Sequence, residues 1–160
     1  MSDNQLIELE KAVGANPESP HLRHLLGARY AQAGRYEEAE RELYRAISLD
    51  PRAHVARLQL GLLYLTKGDP HRAVSTWQAL ESLDDADALK SFKRGLEALI
   101  RDDFEACARW LNQGIAHNSA NPALNEDMRL ILARVARHHT PKIDAESEVR
   151  TDFSLYGTRH

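Results

Sequence analysis

Columns of similar residues that recur every 34 positions constrain this chain more than any other feature of its sequence. Glycine stands at positions 27, 61 and 95. Polar residues typical of turns recur at the same interval, namely Asn16, Asp50, Asp84 and Asn118. Several coincident columns are improbable by chance, so the sequence predicts a chain built from repeated units. A period of this length is typical of a unit made of two helices and a turn.

The clearest unit is the stretch LGARYAQAGRYEEAERELYRAISLDP, residues 26–51. Leu26 and Tyr30 lie four positions apart and therefore share one helical face, where Gly27 lets a neighbouring helix approach closely. Gly34 can adopt the left-handed conformation that ends a helix. Pro51 cannot continue the second helix. The stretch therefore predicts an antiparallel helical hairpin.

These residues resemble the tetratricopeptide repeat family. The Leu-Gly-x-x-Tyr motif of that family matches Leu26, Gly27 and Tyr30, and its Ala and Pro positions match Ala39 and Pro51. The resemblance is strong over residues 20–84 and weaker over residues 86–118. It implies an all-α fold, a solenoid of antiparallel helical hairpins with about three repeats.

The third unit departs from the family motif at three positions. Arg94 stands where leucine is expected, Ala98 where tyrosine is expected, and Ser119 where proline is expected. Two interpretations of this unit stay open. It follows the register of the first two units, or it is shifted by a residue, which would turn a whole helical face.

Helical periodicity and capping residues predict the order of the elements along the chain. The predicted helices span residues 4–15, 20–33, 36–49, 54–67, 70–83, 87–100, 103–117 and 122–139. We interpret the first helix as an N-terminal half-repeat and the last as a C-terminal capping helix, because solenoids need atypical terminal units. The predicted domains are a helical domain over 1–139 and a tail over 140–160.

The tail is polar up to a short apolar group formed by Phe153, Leu155 and Tyr156. These three side chains are too few to form a core, so two interpretations are open. The tail is flexible, or it docks on the helical domain and fills its groove.

Composition argues against several classes of protein. The net charge is −3, with 42% hydrophobic and 28% charged residues, and basic residues are interspersed with acidic ones. This pattern gives no indication of a nucleic-acid partner. No stretch approaches the roughly 20 apolar residues of a membrane-spanning helix, so we expect no membrane insertion. A single cysteine, Cys107, fits a reducing compartment, and we predict a cytoplasmic protein.

No group of residues predicts catalysis, a cofactor or a metal. His21 and His24 lie one helical turn apart, but no cysteine or carboxylate accompanies them at a metal-ligand spacing. The acidic pairs at 84–85 and 102–103 precede predicted helices, where capping explains them. Cys107 falls in a column of small residues and is interpreted as a packed thiol. The sequence therefore predicts a protein that is not an enzyme.

The resemblance implies that the first helix of each hairpin lines a concave groove. In the family register the groove-facing residues are His21, His24, Ala28 and Ala31 in the first unit, Val55, Leu58, Leu62 and Leu65 in the second, and Leu89, Phe92, Leu96 and Leu99 in the third. The last two groups are apolar, and an exposed apolar patch of this size marks a contact site. The shifted interpretation of the third unit would place these leucines in the core instead.

Family members that bind acidic C-terminal peptides of heat-shock chaperones use a clamp of Lys, Asn, Asn, Lys and Arg. The corresponding positions here hold His24, Ala28, Gln59, Leu89 and Lys93. Only Lys93 is basic, so the resemblance does not extend to this class of ligand.

We therefore predict an adaptor that binds an apolar segment of a protein or peptide partner in the groove. Two alternatives stay open: a small chaperone, for example of a secretion system, that shields its client, and a structural subunit whose apolar face forms a homodimer. A Leu62→Glu substitution is expected to abolish partner capture and to leave the helical content intact.

Overall fold

The computed structural model describes residues 2–139, and helices account for most of them. The helices are α1 Ser2–Ala15, α2 Pro20–Gln32, α3 Tyr36–Leu49, α4 His54–Thr66, α5 Pro70–Trp77, α6 Ala88–Ile100, α7 Phe104–His117 and α8 Pro122–His139, with a 3-10 helix at Gln78–Ser82 after α5. No strand is present in residues 2–139. The predicted all-α fold of helical hairpins is confirmed.

Three left-handed turn residues mark the repeat. Gly34 and Gly68 have φ angles of 79° and 84°, and Asp102 has a φ of 62°. They lie 34 residues apart, and each follows the first helix of a hairpin. Helices α2, α4, α6 and α8 also begin at that interval, at residues 20, 54, 88 and 122. The helices of the third repeat therefore keep the register of the first two.

The described helices divide into two compact units, residues 2–76 and 77–139. We describe each unit separately. One continuous helical domain over 1–139 and a distinct tail over 140–160 stay predictions.

In the first unit, α2 packs closely against α3 and also contacts α1 and α4, while α3 contacts α4. Gly27 is what permits the close approach of α2 to α3. A Cβ atom at this position would lie 2.8 Å from Cγ of Leu43. Leu26, Leu43 and Ala46 are buried around this crossing, and Ser19 caps α2 by accepting a hydrogen bond from the Leu22 amide.

In the second unit, the α6–α7 pair repeats this arrangement. A Cβ atom on Gly95 would lie 2.6 Å from Cδ2 of Leu111, the equivalent of the Gly27–Leu43 approach. A second close approach brings Phe92 against Gly114. Helix α8 packs on α7, and Leu124, Met128, Ile131 and Val135 on its inner side are buried.

The predicted helix over 70–83 is shorter than expected, because α-helical structure stops at Trp77 and a 3-10 helix follows. The repeat column that holds Ala46 and Gly114 holds Leu80 here, and Leu80 is fully buried. Leu80 is larger than the alanine and the glycine of this column, and α-helical structure stops before it. Lys90 also binds the end of this segment, since its Nζ donates to the carbonyl oxygen of Leu83 at 2.9 Å.

Candidate functional site

The groove-facing residues of the first two repeats lie on α2 and α4, which contact each other within residues 2–76. Nε2 of His24 lies 2.6 Å from Oε1 of Gln59 and joins the two helices by a hydrogen bond. Burial lowers the pKa of His24, although the hydrogen bond to Gln59 partly opposes this effect and the nearby His21 adds to it. Two of the five clamp positions are therefore bonded to each other.

The α4 residues predicted to line the groove differ in exposure. Val55 and Leu65, near the two ends of the helix, are half-buried. Leu58 and Leu62 between them are 0% and 1% exposed. Ala56, Leu60, Leu63 and Tyr64 are buried as well, so the middle of α4 is enclosed around its whole circumference.

The α6 residues follow the same pattern. Leu89 near the start of α6 is half-buried, whereas Phe92 and Leu96 are 0% exposed and Leu99 is nearly so. The expected exposure of Leu58, Leu62, Phe92, Leu96 and Leu99 is therefore wrong for this structure, because side chains so thoroughly buried offer no surface to water. Whether the set contacts a partner stays a prediction.

Lys93 is also buried, and its charge is neutralised within the second unit. Its Nζ donates to Oε1 of Glu81 at 2.7 Å and to Oε1 of Glu97 at 3.1 Å. Hydrogen bonds from Lys93 and then from Arg94 lower the pKa of the Glu81 carboxyl. Arg94 in addition lies over the ring of Trp110 at 5.1 Å. The one basic clamp position is thus engaged by carboxylates of this chain.

Two tyrosines of the repeat motif fill the grooves between successive helices of the first unit. The Tyr30 hydroxyl donates to Oε2 of Glu10 on α1, and Arg35 lies 4.7 Å from the centre of its ring. Burial is the largest of the causes that raise the pKa of Tyr30 to about 12.

Tyr64 shows the same arrangement one repeat later. Its hydroxyl donates to Oε2 of Glu40 on α3 at 3.1 Å, and Arg72 of α5 lies 4.5 Å from the ring centre. Lys67 also donates to Glu40, at 2.9 Å. In both places a second helix supplies the carboxylate, and an arginine further along the chain covers the ring.

The second unit contains an open groove of about 640 Å³ between α7 and α8, which we call the α7–α8 groove. Its walls are mainly apolar, and its rim is polar; it is lined by Phe104, Glu105, Ala108, Arg109, Asn112, Leu132, Val135 and Ala136. The sequence pattern did not indicate this groove, because it favours a capping role for α8. The signal was available in the motif tyrosine column, which continues from Tyr30 and Tyr64 through Ala98 to Leu132.

The remaining predictions about chemistry concern single residues. Cys107 is fully buried, and burial raises the pKa of its thiol to about 12, so it is packed in the core as expected. No group of metal-ligating side chains was found in residues 2–139. Over the same range, none of the helices has both the length and the apolarity to cross a membrane. Phe153, Leu155 and Tyr156 lie outside the described residues.

Comparison with known proteins bears directly on these hairpins. The family model of the tetratricopeptide repeat matches residues 20–52, which contain α2, α3 and the turn at Gly34. Residues 20–52 therefore form a tetratricopeptide repeat. It is 40% identical over 68 residues to human tetratricopeptide repeat protein 34, a match that spans 42% of this chain and 12% of that protein.

Tetratricopeptide repeats generally mediate interactions between proteins, and proteins of this family are typically non-enzymatic adaptors. The aligned segment covers only a small part of the human relative, so this likeness bears on the repeats and not on the activity of the whole relative.

Proposed function

We propose that this chain is a non-enzymatic interaction module that binds an apolar segment of a partner protein through the first helices of its hairpins. The observation that carries the proposal is the repeat itself, with hairpins in one register from α2 onward. The match of residues 20–52 to a repeat that generally mediates interactions between proteins supports it.

The half-buried apolar residues of α4 and α6 are the contact points that we propose. Val55, Leu65 and Leu89 combine an apolar side chain with partial exposure. Burial of one such side chain by a partner contributes roughly 1.5–3 kcal/mol before the cost of ordering the partner. Two or three contacts of this kind, with backbone hydrogen bonds, correspond to a dissociation constant on the order of 1 µM.

The buried residues between these contact points have a different role in the proposal. Leu58 and Leu62 on α4, like Phe92 and Leu96 on α6, hold their helices in place, and the half-buried residues beside them make the contacts. Lys93 is bound to Glu81 and Glu97, so the proposed ligand is an apolar segment and not an acidic C-terminal peptide.

The experiment uses peptides as defined probes. Peptides are selected from a random displayed library against the wild-type chain, and the tightest is titrated by fluorescence anisotropy. We expect selected peptides enriched in large apolar residues. Val55→Glu and Leu89→Glu are expected to weaken their binding by about tenfold or more, because a buried unpaired charge costs more than 1.4 kcal/mol.

The chain offers matched controls for both substitutions. Val74 on α5 is 37% exposed and Leu130 on α8 is 54% exposed. Val74→Glu and Leu130→Glu introduce the same charge into the same residue types and should leave affinity nearly unchanged. Equal loss in test and control variants, or no loss in any, would contradict the proposal.

Sedimentation of the unliganded chain over a range of concentrations tests the alternative of a homodimer. The solubility of a captured partner without this chain tests the chaperone alternative.

A further inference from the structure

Helix α8 occupies the position of a first helix, but no second helix follows it within residues 2–139. It begins 34 residues after α6, as a first helix should. The next left-handed turn would fall at position 136, where Ala136 is instead part of the helix. Helices α2 and α6 each pack closely against the helix that follows them, whereas α8 is the last helix of the described residues 2–139. Within that range no following helix packs on α8 as α3 packs on α2 and α7 on α6.

The α7–α8 groove lies between a first helix and the helix that precedes it. In residues 2–76, the hydroxyls of Tyr30 on α2 and Tyr64 on α4 bond to the helix that precedes each of them, and Arg35 and Arg72 lie over the two rings. The tyrosine column places Leu132 in the α7–α8 groove, a smaller side chain without a hydroxyl. The space is thus suited to a large apolar or aromatic side chain that enters from outside.

The groove also has the composition of a binding site for such a side chain. Phe104, Ala108 and Val135 provide apolar walls. Arg109 and Asn112 at the exposed rim offer donors to the backbone or to an acidic residue of the incoming segment.

Residues 153–156 of this chain, Phe-Ser-Leu-Tyr, are the occupant that these features favour. Helix α8 ends at His139, one turn beyond Val135, and thirteen residues, 140–152, connect it to Phe153. Such a connection spans up to about 45 Å when extended, which is ample for a return to the same helix. A short connection also gives an effective concentration in the millimolar range. Asp152 directly before Phe153 has the charge that complements Arg109.

We propose that residues 153–156 dock in the α7–α8 groove and place an aromatic side chain where the earlier grooves hold Tyr30 and Tyr64. This assigns the tail a site on the second unit and not the concave groove that the sequence alone suggested. The inference does not depend on partner binding and stands or falls separately from the proposed function.

Cysteine cross-linking in the full chain tests the proposal. Ser154→Cys is combined with Asn112→Cys at the groove rim, and disulfide formation under mild oxidation is followed by mass spectrometry. The matched control pairs Ser154→Cys with Tyr44→Cys, since Tyr44 is 63% exposed and holds the equivalent position on α3. A third pair with His21→Cys probes the inner face of α2. The native Cys107 is fully buried and should not take part.

We expect the Asn112→Cys pair to form an intrachain disulfide at least about tenfold faster than the other two pairs, as a docked segment requires. Adding Ala136→Glu, a charge in the exposed wall of the groove, should remove this advantage. Equal rates in all three pairs would overturn the proposal. Faster reaction at His21→Cys would place the tail on the inner face instead, and a disulfide between two chains would make a second copy the occupant; either result also overturns it.

Discussion

The pKa values of two ionisable side chains depend on where the helices place them. Asp127 lies on α8 at a half-buried position, and burial together with the neighbouring Glu126 raises its pKa to about 6. His24 shows the opposite effect, because burial of an imidazole favours its neutral form and lowers the pKa. Neither effect is evident from sequence, where both residues belong to ordinary amphipathic helices.

Asp127 should make the stability of the chain depend on pH. Its pKa in the folded chain lies above the ordinary value of 3.8, so the folded chain binds more protons than the unfolded chain between about pH 4 and pH 6. Its contribution to the free energy of unfolding is therefore greatest below pH 4 and is lost as the pH rises through 6. Asp127→Asn should raise the free energy of unfolding at pH 7 by on the order of 1–3 kcal/mol and have little effect at pH 4.

Urea denaturation of the wild type and variant at both pH values measures this difference. Glu126→Gln is the control, since it removes only the smaller, coulombic cause and should give a smaller gain. An equal effect of Asp127→Asn at pH 4 and pH 7 would show that proton binding is not responsible.

Among the elements, helices and turns could be predicted well from sequence, because local signals determine them. Ser19 caps α2, Asp103 caps α7 and Pro70 opens α5, as the sequence indicates. The end of α5 could not be predicted in this way. It coincides with the buried Leu80 and with Lys90, which lies on the next helix and binds the Leu83 carbonyl. These are contacts between elements, and the local pattern around 78–83 is still helical.

The left-handed turn positions lead to a prediction about the free energy of unfolding. Asp102 holds a left-handed conformation that suits glycine better, whereas Gly68 holds it without strain. Asp102→Gly should raise the free energy of unfolding by about 0.5–1 kcal/mol, and Gly68→Ala should lower it by about 1 kcal/mol or more. Thermal unfolding followed by circular dichroism measures both. The control is Gly14→Ala in α1, where an added Cβ would meet nothing within 4 Å and helix propensity should give a small gain. A loss of stability in Asp102→Gly would mean that its side chain outweighs the backbone strain.

At the scale of the whole molecule, the sequence established the repeat but not the exposure of its inner residues. The 34-residue period correctly placed Leu58, Leu62, Phe92 and Leu96 on the first helices. Periodicity along one helix gives a direction for each side chain, but burial depends on everything that surrounds the helix. For this reason, residues expected to face water are enclosed, and the α7–α8 groove emerged only from the arrangement of α7 against α8.

Because α4 is enclosed, we expect a charge at position 62 to destabilise the fold. The side chain is 1% exposed, so Leu62→Glu buries an unpaired carboxylate and removes apolar contacts. We expect a loss of about 3–5 kcal/mol in the free energy of unfolding and reduced helical content, in contrast to the selective loss of binding that the sequence suggested. Circular dichroism and urea denaturation provide the measurement. Leu65→Glu, one turn away at a half-buried site, should retain the native spectrum. A native spectrum and full stability in Leu62→Glu would contradict this expectation and indicate that α4 has a face open to solvent.

The equal spacing of Gly34, Gly68 and Asp102 places the turn of each hairpin at the same point of the repeat. Helix α8 differs from the earlier first helices, because it continues through Ala136, where the next turn of this spacing would fall. A glycine-containing turn engineered at 136, followed by a copy of the α7 sequence, would lengthen the array by one hairpin and seal the exposed flank of α8. The backbone conformation at position 136 therefore determines whether α8 continues as a helix or ends in a turn that another helix could follow.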